Sequence, residues 1–295
     1  LTDPATPDIY TTAKSSAASD VYKRQGTKTI RVGAGGIMLP NHAPLVIAEQ
    51  FGTLETLYPG RIDLGLGRAP GTDGATAHAL RRHMEANDSF PQDVVELLGY
   101  IDDASEETRI QAIPGQGTHV PLWILGSSLY GAQLAAHFGL PYAFASHFAP
   151  AMLENAIATY RTTFRPSRWL AKPYFMMAAG VCAAKTDEEA WYLRSSQMLA
   201  FARLRTGRPG KLPLPTGDLS AEIPAAVMAQ VKQSLSCSAT RSPKTVRREL
   251  AALVARYQPE ELMVTGMIHD HAARQKSFAI AAEALSDITQ ASRVA

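Results

Sequence analysis

Ile30-Arg31-Val32-Gly33-Ala34-Gly35-Gly36-Ile37-Met38-Leu39-Pro40 reads as a buried strand with its exit loop, and the helix and second strand after it decide the fold. Ile47, Phe51, Leu54 and Tyr58 recur at spacings of four, three and four, which puts them on one face of a helix that Pro59-Gly60 terminates. Another strand, Arg61 to Gly67, begins at once. Strand runs that are apolar on both faces, each followed by a helix, predict a parallel sheet covered by helices.

The same alternation continues outward. A long connection over His78 to Met84 leads to a helix near Val94 to Ile101, a strand Pro121 to Gly126 and an Ala-rich helix Ala132 to Phe138. Tyr142 to Phe148 reads as a strand, and Leu153, Ile157, Tyr160 and Phe164 repeat the four-three-four helical spacing. Pro173 to Ala184 is the next strand, and Thr186 with Glu189 makes a capping box at the start of its helix. Gly207 to Pro224, rich in Pro and Gly, is an insertion, followed by a helix through Val227, Val231 and Leu235. Ser242-Pro243 opens a helix with the Ser hydroxyl as N-cap, and a last strand, Glu261 to Ile268, precedes a helix from His271 to Leu285.

Six strand-helix units are countable, against eight in a (β/α)₈ barrel of about 250 residues. The fold class is therefore α/β, a TIM (β/α)₈-type barrel with six of its eight units and an insertion before the last ones, or alternatively a doubly wound sheet. Residues 29–286 form this barrel domain and 287–295 a C-terminal tail. Residues 1–28 are expected to be disordered or non-native: Ser, Thr, Ala and Asp dominate, and Ser15 to Gln25 reads like translated sequencing-adaptor sequence. On this reading the chain is a fragment whose first two units are missing.

Composition excludes several functions. With 295 residues, 46% of them hydrophobic, the chain is a folded protein rather than a disordered one. Its 29 basic and 27 acidic residues leave a charge of +2, too weak a field for nucleic acid or an anionic membrane as the main partner. No apolar run approaches the roughly 20 residues of a membrane span. Two cysteines, Cys182 and Cys237, cannot form a disulfide framework or a four-ligand zinc site, and the eight histidines show no metal-ligand spacing. A cytoplasmic location and no metal are expected.

Asn41-His42-Ala43-Pro44-Leu45-Val46-Ile47-Ala48-Glu49-Gln50, continued by Pro59-Gly60-Arg61-Ile62-Asp63-Leu64-Gly65-Leu66-Gly67-Arg68, resembles the bacterial-luciferase-like flavin monooxygenase family. Leu125-Gly126-Ser127-Ser128, Phe144-Ala145-Ser146-His147-Phe148 and Met263-Val264-Thr265-Gly266 extend the resemblance from about Thr29 to Leu285. It is nearer the FMN-type, single-chain branch than the deazaflavin branch. The resemblance implies a TIM barrel with FMN at the C-terminal mouth, a homodimer, reduced flavin supplied by a flavin reductase or by NAD(P)H, and a small-molecule substrate. It also implies an acidic-His-His motif ending a second strand, and this sequence has no Glu-His-His.

Arg68 follows a strand, which in a barrel places it at the mouth, where a guanidinium can grip a phosphate through paired charge-assisted hydrogen bonds. A salt bridge at the rim is the alternative reading. Gly126-Ser127-Ser128 joins a strand to a helix, so its hydroxyls and the helix's free amides can form a second phosphate clamp, or simply a turn and N-cap. By resemblance, Arg68, Gly126, Ser127, Ser128, Tyr130 and Gly131 fall on flavin-binding positions. Gly35-Gly36 falls where the family places a cis peptide, with positive φ as the other strained form expected there and an ordinary bulge as the bland reading. Met38 then packs on the flavin or belongs to the core. On the strained reading, Gly36→Val impairs flavin binding more than folding.

No catalytic residue is assigned. His147 is the remaining proton-transfer candidate, with a structural His as its alternative, and Asp270 is expected to cap the last helix rather than join His269 and His271 in a metal site. Glu49 is expected to order its helix at a dimer seam. Two functions are compatible with these residues: an FMN-dependent monooxygenase using O₂, or a non-catalytic flavin-binding relative or inactive fragment. A sugar-phosphate barrel is a third, without an acid pair or Lys at the strand ends to support it.

Overall fold

A computed structural model describes residues 27–68, 89–105 and 108–294, with side chains as far as 289. The expected disordered segment, the loop Ala69-Pro70-Gly71 and the connection through His78 to Met84 lie outside the described residues, apart from Thr27 and Lys28. In chain order the elements are β1 (Val32–Met38), α1 (Pro44–Leu57), β2 (Ile62–Gly67), α2 (Phe90–Ile101), β3 (Leu122–Gly126), α3 (Leu129–Phe138), β4 (Tyr142–Phe144) and α4 (Leu153–Thr163). Then come β5 (Phe175–Ala183), α5 (Asp187–Arg205), α6 (Leu219–Glu222), α7 (Ala225–Ser234), β6 (Ser238–Arg241), α8 (Pro243–Tyr257), β7 (Glu261–Thr265) and α9 (His271–Val294).

All the strand pairs are parallel, in the order β1-β2-β3-β4-β5, and the sheet curls into a half-barrel consistent with an incomplete TIM barrel. β5 is the hub: Met176 and Met177 pair with β4 and β7, while Gly180 pairs with both Ser238 of β6 and Thr265 of β7. β4 and β6 therefore succeed one another along one edge of β5, and β7 takes the other. Among the described residues β1 pairs only with β2, and β7 only with β5, so the sheet is open between them.

Side-chain alternation gives the two faces different occupants. Ala34, Leu64, Leu66, Leu122, Ile124, Tyr142, Phe144, Phe175 and Met177 point to one face and form a single core with Ile47, Phe51 and Leu54 of α1, Val94 and Leu97 of α2, and Tyr160 of α4. Val181, Ala183 and Ala239 extend it against Val246 and Leu250 of α8 and Ala281 and Ala284 of α9. The register places Gly65, Trp123, Leu125, Ala143, Met176 and Ala178 on the concave face. Toward its N-terminal end that face carries polar contacts: Arg31 pairs with Asp63, Trp123 Nε1 donates to Asp63 (3.3 Å) and Tyr174 OH to Glu261 (2.8 Å).

Several boundaries differ from the sequence reading. β6 was not expected, because Cys237-Ser238-Ala239-Thr240-Arg241 has no apolar run; it forms by pairing with the C-terminal half of β5. β4 ends at Phe144, where the Ser146 amide turns back to the Phe144 carbonyl and its hydroxyl donates to the Ala178 carbonyl (2.6 Å). α9 runs to Val294, through the segment 287–295 expected as a tail, because Ile288 continues the buried stripe of Ala281, Ala284 and Leu285 and Asp287 pairs with Arg247 (2.8 Å). In the capping box Thr186 Oγ1 accepts from the Glu189 amide (3.2 Å), but the Glu189 carboxylate reaches Lys185 N (3.1 Å) instead of Thr186 N. Ser242 precedes Pro243 as expected, yet its hydroxyl caps nothing; its amide donates to Asp187 (2.8 Å) and its carbonyl takes the first helical bonds. Among the described residues no helix is long and apolar enough to cross a membrane.

Candidate functional site

The two predicted phosphate-binding segments meet. Arg68 leaves the C-terminal end of β2 exposed, and its guanidinium lies over the Tyr130 ring, 4.1 Å from the ring centre. Tyr130 is the second residue of α3, so the stack holds the cation at that helix's N-terminus. Ser127 and Ser128 are exposed between β3 and α3. Ser128 is the N-cap residue with extended backbone, and no side chain caps the helix, leaving first-turn amides open to an acceptor.

This corner is fixed from beneath by Tyr142, which is buried on β4. Its hydroxyl donates to the Ser128 carbonyl (3.1 Å), and burial pushes its pKa above the ordinary tyrosine value. A Cβ on Gly131 would lie 3.2 Å from the Tyr142 ring, and one on Gly126 would lie 3.5 Å from the Gly131 Cα. The two glycines thus let β3 and α3 close over the ring. At its other end α3 stops at Gly139, whose φ of +64° suits glycine and whose amide bonds back to Ala136.

The Gly35–Gly36 peptide is cis. Gly35 faces open space, whereas a Cβ at Gly36 would sit 2.6 Å from the Gly65 carbonyl oxygen and 3.0 Å from Leu125 Cδ2. The cis form is one of the two strained forms expected here, and the crowding at position 36 adds a packing restriction to glycine, so Gly36→Val is expected to strain the β1–β2 pairing as well as any flavin contact. Met38, half-buried, pairs with Gly67 one residue before Arg68, so it borders the same corner.

His147 lies three residues beyond β4 at the same end of the sheet, stacked edge-on against Phe148. Its Nδ1 is buried without a hydrogen-bond partner, and burial lowers its pKa to about 4, so the ring is neutral at pH 7. Asp270 caps α9 through the Ala273 amide (2.7 Å), as expected. Glu49 is half-buried on α1. Cys182 is buried, and desolvation pushes its thiol up to about 12, which makes it a small hydrophobe rather than a nucleophile.

Two groupings were not foreseen. Asp102, Asp103 and His119 bring ligand atoms within 4.8 Å of one another, but the Arg168 guanidinium already pairs with Asp102, which makes the group an ion-pair network. Arg194, on the third turn of α5, is buried beside Gly180 on the concave side of β5. A helical Arg among Leu and Ser reads as a solvated residue, so nothing in the sequence signals this burial.

Residues 22–293 match the model of the luciferase-like monooxygenase family. A luciferase-like monooxygenase of Escherichia coli (strain K12) is 47% identical over 281 residues, covering 94% of this chain and 84% of the relative. The crystal structure of apo-MsnO8 superposes with a TM-score of 0.78 at 32% identity, over 92% of this chain and 81% of the other. The oxygenating constituent of 3,6-diketocamphane monooxygenase from the CAM plasmid of Pseudomonas putida, solved in complex with FMN, shares the fold at a TM-score of 0.60 and 18% identity, over 89% of this chain and 80% of that one.

Proposed function

Because the chain belongs to the luciferase-like monooxygenase family, we propose that it is an FMN-dependent monooxygenase acting with O₂ on a small organic substrate. The observation that carries this reading is the Arg68–Tyr130 stack at the start of α3, which gathers a cation, two serine hydroxyls and open helix amides at one corner. That donor set suits a dianionic terminal phosphate, as in FMN. Reduced FMN, when bound, supplies the electrons with which O₂ is activated.

The chain's own residues have distinct tasks on this reading. Arg68, Ser127, Ser128 and the amides of Tyr130 and Gly131 hold the phosphate; Tyr142 orients their loop. Gly35 leaves space on the sheet for a flat ring, and Met38 borders it. His147, neutral at pH 7, stands at the same end of the sheet. Reduced flavin comes from a partner reductase or from NAD(P)H, and a second copy of the chain forms a homodimer.

The test is fluorescence titration of FMN into the wild-type chain and Arg68→Ala, with a deazaflavin in parallel. The variant is expected to bind FMN more weakly by about 1.5–3 kcal/mol, the scale of a hydrogen bond to a charged group. Unchanged affinity removes Arg68 from the site, and tighter binding of the deazaflavin moves the chain to the other branch. FMN binding without substrate-dependent O₂ uptake, when reduced flavin is supplied, leaves a flavin-binding relative without oxygenase activity.

A further inference from the structure

A cavity of about 220 Å³ lies away from the Arg68 corner, between α5, α7, α8 and β6, and is lined by Arg194, Trp191, Met198, Lys232, Leu235 and Thr240 among others. Arg194 is 3% exposed, and among the described residues no carboxylate pairs with it. Its Nη2 donates to Ser238 Oγ (3.0 Å) and the Leu235 carbonyl (3.4 Å), while Nη1 is buried with no acceptor. Thr240 Oγ1, on the same cavity wall, is a second buried polar atom without a partner. Leaving such atoms unsatisfied is unfavourable, more so for a charged group. Burial pulls the Arg194 pKa below its ordinary value, the direction expected for an ion short of a counter-charge.

The other charges at the cavity are largely engaged elsewhere. Arg241 pairs with Asp187 (3.5 Å) and stacks on Trp191, 4.7 Å from the ring centre. Glu249 is engaged by the Thr240 amide (3.0 Å). Arg194, Lys232 and Arg241 against Asp187 and Glu249 leave one positive charge in excess, beside the apolar surface of Met198, Leu235 and Trp191.

We infer that this cavity is a binding site for a small organic monoanion of the carboxylate type, its charged end on Arg194 and Thr240 and its apolar body against Met198, Leu235 and Trp191. Because Nη2 is already engaged, the anion is met by Nη1 and the Thr240 hydroxyl rather than by a two-nitrogen fork. Both residues line the cavity, and both atoms are buried in this structure, so the side chains must turn toward the cavity to complete the contact. The inference does not depend on flavin binding.

The experiment is calorimetric titration of the full chain, in a carboxylate-free and phosphate-free buffer, with benzoate, its neutral counterpart benzamide, and inorganic phosphate. Benzoate is expected to bind at least tenfold more tightly than benzamide or phosphate, to lose at least tenfold in Arg194→Met and about threefold or more in Thr240→Val, and to bind Arg68→Ala as it binds the wild type. Equal binding of benzoate and benzamide, no binding of benzoate, or full binding by Thr240→Val overturns the inference and leaves Arg194 as a pin between α5 and the turn before β6. Should Arg194→Met fail to fold, Thr240→Val and the benzamide comparison still decide the question. Loss of benzoate binding in Arg68→Ala would also overturn it, by assigning the anion to the phosphate corner.

Discussion

The two faces of the sheet are built by opposite rules. On the convex side Leu64, Leu66, Ile124, Tyr142, Phe144 and Phe175 are sealed under helices. On the concave side their alternating neighbours are Gly65, Gly67, Leu125, Ala143 and Met176, mostly small or partly exposed, with the buried Trp123 as the exception, and Met263 on β7 is 50% exposed. Fold stability therefore resides mainly in one face, and the groups suited to ligand contact collect at the C-terminal rim and on the other. Substitutions should separate along that division.

The largest effect is expected from Phe51→Ala, which empties a fully buried position in the convex core and should lower unfolding free energy by about 3–5 kcal/mol in urea. Arg68→Ala in the same assay should stay within about 0.5 kcal/mol of wild type. A loss of several kcal/mol there would break the division. Gly65→Ala probes its limit: the residue is on the concave face, yet its Cβ would lie 2.3 Å from the Ala34 carbonyl oxygen, so a loss of about 1–3 kcal/mol is expected from backbone crowding.

His147 supplies a pH test. Its folded pKa of about 4 lies below the ordinary 6.5, so its stabilising contribution is complete above pH 6.5 and is lost as pH falls toward 4. Between pH 7 and pH 5 the wild type should lose about 2 kcal/mol that His147→Leu does not, from about 1.36 kcal/mol per pKa unit. Parallel urea curves at both pH values for the two proteins would overturn that. Among the substitutions at buried positions the smallest effect is Tyr142→Phe, expected to cost about 1 kcal/mol through the lost bond to Ser128 and to weaken FMN modestly. Unchanged FMN affinity would mean that Tyr142 supports the core and not the loop.

Legibility in the sequence divides along the same two faces. The convex strands and the helices over them announce themselves through apolar runs and helical spacing, so six strands and their helices are readable. β6 is missed because its four residues carry no apolar run and depend on pairing with β5, and the end of α9 because Ser286 and Asp287 interrupt the apolar run but not the stripe that Ile288 continues. Arg68 and Gly126-Ser127-Ser128 stand out in the sequence only through the family resemblance, since a strand-end Arg or a Gly-Ser-Ser turn by itself reads equally as a rim salt bridge or an N-cap. The contact between Arg68 and Tyr130, the packing restriction at Gly36 and the burial of Arg194 are not, since each depends on which elements tertiary packing brings together.

The stack of Arg68 on Tyr130 also bears on time rather than affinity. A long side chain that is free in solution samples many rotamers, and fixing it on ligand arrival removes up to about 2 kcal/mol of entropy. Here the ring face parks the guanidinium beside the helix amides in advance, so on the proposed function an incoming phosphate would meet an assembled rim. On the same proposal the ring would also offer the cation a resting place once a phosphate left, through cation–π attraction of about 0.5–1 kcal/mol at an exposed site.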